Sequence, residues 1–142
     1  MANLKEKLFA AAQLDAGLQA VLLSGSTFQW GDTQLPQSWN LGTKSALTVQ
    51  LISDPTFYAT AGPLATSWTR VQFTIFGHGN DSPNADAVAA ALFAFMGSFN
   101  GGAVPNQAAN YKVGDRDFGI AQTQPLTYQR IIDYMVWNDV KV

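Results

Sequence analysis

Apolar residues recur at helical spacing near the start of the chain. Leu4, Leu8, Ala11, Leu14 (or Asp15), Leu18 and Leu22 fall on one stripe, which predicts helix over residues 4–22. Asn3 stands where an N-cap is expected. Asp15-Ala16-Gly17 offers a second cap inside the stretch, so it reads equally as one helix or two. Ser24-Gly25-Ser26 ends it. Residues 27–44 hold no sustained period and carry Trp30, Gly31, Pro36, Trp39 and Gly42. A short strand over Phe28–Trp30 fits there. Two tryptophans in such a connection imply that it packs down on the domain or on a neighbour.

The period then changes to two. Leu47, Val49 and Leu51 alternate with Thr48 and Gln50, and Val71, Phe73 and Ile75 alternate with Arg70, Gln72 and Thr74. Each run predicts a half-buried strand. Residues 54–66 lie between them as a loop, broken by Asp54-Pro55 and Gly62-Pro63. The two strands read as an antiparallel pair.

Ser82-Pro83 opens the clearest helix, with Asp86 in the first turn, where the helix dipole favours a carboxylate. Ala85, Val88, Ala89, Leu92, Met96 and Phe99 form its core stripe, and Asn100-Gly101-Gly102 stops it. Its other side is apolar as well: Ala87, Ala90, Ala91, Phe93 and Ala94. No charge occurs between Asp86 and Lys112. A helix apolar all round needs cover on both sides. One side has the sheet, and a neighbouring subunit is expected on the other. Residues 103–127 are loop-like with a strand around Asn110–Phe118, and a last strand runs from Tyr128 to Trp137 after Pro125. The order predicts one α+β domain over residues 1–142. It would have an antiparallel sheet of about four strands, with an N-terminal and a central helix on one face.

Composition narrows the function more than it names it. Charged residues make up 13% of the chain, against about 25% in an average domain. Interface cores are depleted in Lys, Glu and Asp, so the low charge fits a surface covered by partners. The net charge of −2 argues against a nucleic-acid-binding face, which would be basic. The chain has no cysteine, so disulfides and thiolate metal sites are excluded. No secretion signal and no run of about 20 apolar residues is read. The chain is therefore expected to be made in the cytoplasm and to stay out of membranes.

Candidate chemistry is sparse. His78, in Gly77-His78-Gly79-Asn80, is the only histidine and has no second histidine or cysteine to build a zinc site. It reads as a turn residue. Gly42-Thr43-Lys44-Ser45 fails as a phosphate loop, because position 37 is Gln and a strand follows instead of a helix. Asp115-Arg116-Asp117 reads as a salt-bridged edge strand rather than a metal site. Asn80-Asp81-Ser82 matches a glycosylation sequon that carries no weight without secretion. Trp30, Trp39, Phe57, Tyr58 and Trp68 would suit a sugar-stacking platform, although core or interface packing suits them better. Arg70 and Asp133 are expected to pair across neighbouring strands. No catalytic constellation emerges, and no enzyme activity or cofactor is expected.

The Leu-rich opening Leu4–Leu23 includes Asp15-Ala16-Gly17-Leu18-Gln19. The run Thr69-Arg70-Val71-Gln72-Phe73-Thr74-Ile75-Phe76-Gly77 is followed by a helix. The ending is Gln129-Arg130-Ile131-Ile132-Asp133-Tyr134-Met135-Val136-Trp137. With these three segments the chain resembles the tail-completion or tail-terminator proteins of long-tailed bacteriophages. The likeness runs over nearly its whole length. The resemblance implies a virion protein that forms a ring with itself, commonly a hexamer, at the head-proximal end of the tail. The ring would cap the tail-tube protein and join it to a head-neck connector protein. The second apolar side of the central helix, Ala87, Ala90, Ala91, Phe93 and Ala94, is then the expected subunit interface, and the loop over residues 54–66, with Phe57, Tyr58 and Leu64, is the expected contact with the tube or the channel. A head–tail connector and a small carbohydrate-binding module are the alternatives.

Overall fold

The computed structural model describes residues 4–53, 58–59, 62–63, 66–99, 110–123 and 125–139. Among these, three helices and a five-stranded sheet make an α+β fold. The helices are α1 (Leu4–Gln13), α2 (Ala16–Leu22) and α3 (Pro83–Ser98). Short strands β1 (Leu23–Ser24) and β2 (Thr27–Phe28) pair with each other, as do β5 (Tyr58–Ala59) and β6 (Gly62–Pro63). The main sheet comprises β3 (Trp30–Asp32), β4 (Ala46–Ser53), β7 (Thr66–His78), β8 (Tyr111–Ala121) and β9 (Thr127–Asp139). Its order is β3-β4-β7-β9-β8, antiparallel except for β3 against β4.

The N-terminal stretch is two helices, and Asp15 is the reason. Its backbone is extended (φ −85, ψ 117) and its side chain accepts the Leu18 N–H at 2.9 Å. A carboxylate at an N-cap satisfies a donor that the new helix would leave orphaned. The expected cap Asn3 lies outside the described residues.

The period-two runs land as expected. Val49, Phe73 and Ile132 stand abreast in register, as do Leu51, Val71 and Tyr134. Val49, Phe73, Ile132, Val71 and Tyr134 are buried. Leu4, Leu8 and Ala12 of α1, Leu18 and Leu22 of α2, and the inner stripe of α3 join them in one core. The helices thus share one face of the sheet. The abreast row Gln50, Gln72 and Asp133 marks the other face.

Two details differ from the expected sheet. It has five strands, because Trp30–Asp32 adds in parallel to β4. Trp30 is the anchor: its ring meets Phe73 and Phe95 edge-on at 5.7 and 6.0 Å and stacks on Phe28. The central helix also buries Phe95, which the expected stripe omitted, while Phe99 is only partly buried.

Thr33, just after β3, has φ 67. A β-branched residue in the left-handed region is strained by roughly 1–3 kcal/mol. Glycine accepts that conformation freely but adds unfolded-state entropy. Thr33→Gly is therefore expected to stabilise the fold by about 1 kcal/mol net. A urea titration showing a loss instead would mean that the turn is not strained.

Candidate interaction surface

The outer side of α3 is apolar and exposed. Pro83 sits in the first turn, and the Asp86 N–H bonds the Ser82 carbonyl at 2.9 Å to start the helix. Ser82 itself makes no side-chain cap, contrary to the expectation from sequence. Ala85, Val88, Ala89, Leu92, Phe95 and Met96 turn inward. At about 100° per residue, the positions they leave form an arc of roughly 160°. Ala87, Ala90, Phe93, Ala94 and Gly97 occupy most of that arc and are exposed, Phe93 by 63%. Ala91 is half-buried on the side facing α2, near Gly17. The arc is therefore largely apolar, mostly small and open to solvent, and beyond Asp86 in the first turn it carries no charge of its own. Lys112 Nζ lies 5.9 Å from the Phe93 ring centre on one side, and Asp86 stands at the N-terminal end.

Of the expected tube-contact residues, Phe57 and Leu64 lie outside the described residues. Tyr58 is placed in β5 by its backbone alone.

The sheet edge beside α3 is β8, which among the described residues pairs only with β9. Tyr111, Val113, Phe118 and Ile120 are exposed along it. An open, apolar edge invites a further strand unless it is guarded. Here it is guarded twice. The register shifts between Lys112 and Gly114 and again between Asp117 and Gly119, so bulges interrupt the edge. Lys112, Asp115, Arg116 and Asp117 place charges between them. The β8 edge is thus built against pairing, whereas among the described residues the α3 face beyond Asp86 carries no such guard.

Those charges also tie elements together. Arg130 of β9 grips Asp115 with two bonds of 2.7 and 2.8 Å and reaches Asp86 of α3 at 2.8 Å. Lys112 adds a bond to Asp115 at 2.9 Å. The edge strand expected from Asp115-Arg116-Asp117 is present and salt-bridged, with Arg130 as the partner that the local motif did not reveal. The Arg130 bonds, chiefly, hold the Asp115 carboxyl down to about 2 against desolvation that would raise it. Because the folded value lies below the usual 3.8, the pair stabilises the fold above about pH 4 and loses that contribution as pH falls through 2. After discounting for solvent screening the amount is about 1–2 kcal/mol. NMR titration is expected to place the Asp115 midpoint well below 3 in the native protein, and near the ordinary carboxylate value in Arg130→Met. A native midpoint near 4 would show that the grip is absent in solution.

The other candidates resolve as structure. Arg70 does pair with Asp133, at 2.7 Å from Nη2 to Oδ2. The ladder sets Asp133 opposite Gln72, so the pair runs diagonally across β7 and β9. The second Asp133 oxygen and the Tyr134 hydroxyl are buried, and neither has a hydrogen-bond partner among the described residues. Burial, first, pushes the Tyr134 phenol up to about 12. His78 Nδ1 lies 3.2 Å from Ser45 Oγ, which also accepts the His78 N–H at 3.1 Å. Ser45 is 2% exposed, so its hydroxyl joins the ends of β4 and β7 and is closed to a substrate. Lys44 donates to the Ala20 carbonyl at the end of α2, a structural contact rather than a phosphate cradle. Trp30 is buried and Trp39 closes over Gly31, its ring 2.9 Å from where a Cβ would sit. Trp30 is therefore closed to a sugar, and Trp39 is half-buried. The side chains of Phe57, Tyr58 and Trp68 lie outside the described residues.

Among the described residues, no group of three or more His, Asp or Glu could hold a metal, and no helix is long and apolar enough to cross a membrane. No protein-family model matches the chain, and no curated protein matches its sequence.

Proposed function

We propose that this chain is a structural subunit, without catalytic activity, that assembles with copies of itself into a ring terminating the tail tube of a long-tailed phage or phage-like particle. The observation that carries the reading is the open, uncharged arc of α3 at Ala87, Ala90, Phe93 and Ala94. Burying that arc removes apolar surface from water with no charge to desolvate. Its small side chains let a neighbouring backbone come close. Repeated head-to-tail contact of this kind closes a ring when the rotation fits. The guarded β8 edge supports contact through the helix layer rather than by strand addition. A ring on the last tube layer would leave no polymerising surface, and its far side would receive the head-neck connector. Termination is then a geometric act that needs no cofactor. The low charge and the resemblance of the three quoted segments point the same way.

Electron microscopy and light scattering of the purified chain, alone and with tail tubes, test the proposal. Rings alone or rings at tube ends support it, and a monomer that ignores tubes overturns it. Ala90→Glu and Ala94→Glu place a carboxylate on the proposed contact. Each is expected to weaken ring formation at least 10-fold, since a buried unpaired charge costs several kcal/mol. Monomer stability should change by no more than about 0.5 kcal/mol, because both sites are exposed. Rings that form unchanged in both variants would move the contact elsewhere.

A further inference from the structure

We draw no further inference here: the strongest candidate, the open, largely apolar groove between α1 and the C-terminal half of α3, lined by Lys7, Ala11, Leu14, Asp15, Phe95 and Phe99, carries nothing because nothing in the structure shows what covers it.

Discussion

Replacing Gln29 by leucine is expected to lower stability by about 3–4 kcal/mol, a large share of the roughly 5–15 kcal/mol that holds a domain folded. Gln29 is fully buried. Its amide nitrogen donates to the Asn40 carbonyl at 3.0 Å and the Ser45 carbonyl at 2.9 Å. Its amide oxygen accepts the Asn40 N–H at 2.7 Å. Its own backbone bonds Leu22 and Leu47. One side chain therefore clips both ends of the 40–45 segment to the strand region. Leucine has nearly the same volume and none of these bonds. It would leave three backbone groups without partners, each costing about 1–3 kcal/mol where water cannot replace the bond. The Asn40 groups are only part-buried, so water recovers some of the loss, and the expected total falls below the simple sum. Glutamate in place of Gln29 should do no better, because an oxygen would then face two carbonyls. Urea unfolding measures the effect directly. A loss under about 1 kcal/mol would show that the 40–45 segment is not held by this clip.

The second large effect is expected at Gly77. α3 crosses β7 so closely there that a Cβ would lie 2.4 Å from the Ala85 nitrogen and 2.7 Å from its Cα. Those atoms are helix backbone and cannot swing aside as a side-chain tip does. Gly77→Ala must push the helix off the sheet. The expected cost is about 3 kcal/mol, at the upper end of ordinary overpacking, because backbone has to move. Gly97→Ala is the contrast. It lies in the same helix with nothing within 4 Å of the added methyl. Alanine there should stabilise the fold by about 0.5–1 kcal/mol through helix propensity alone. Opposite signs from one chemical change would separate close packing from propensity. If both variants lose stability alike, the close approach at Gly77 is not the cause.

Much of this fold can be read along the chain because its periods are long and clean. Sixteen residues of α3 repeat an apolar pattern that only a helix can satisfy. The alternation in β4 and β7 assigns each side chain to a face and so sets the register between them. The uncharged second side of α3 was legible for the same reason. A helix whose apolar positions exceed one stripe announces a second surface before any partner is known. The α+β class and the Arg70–Asp133 pair follow from the same patterns.

What stayed hidden has a common physical origin, contact between residues distant in sequence. β3 has three residues, too few to show a period. Its parallel pairing depends on Trp30 fitting between Phe73 and Phe95. Gln29 looked like any polar residue in a connection, since only the folded chain brings Asn40 and Ser45 to its amide. Arg130 became the partner of Asp115 and Asp86 because β9 lies beside β8 and under the start of α3. The bulges that guard β8 arise from pairing, which no single strand contains. The sequence by itself thus determined the long elements, their faces and the uncharged side of α3, because local period and side-chain polarity suffice for those. The tertiary structure alone decided the parallel edge strand, the Gln29 clip, the Arg130 tie and the close crossing at Gly77. Each of those depends on which distant groups the packed core brings within bonding distance.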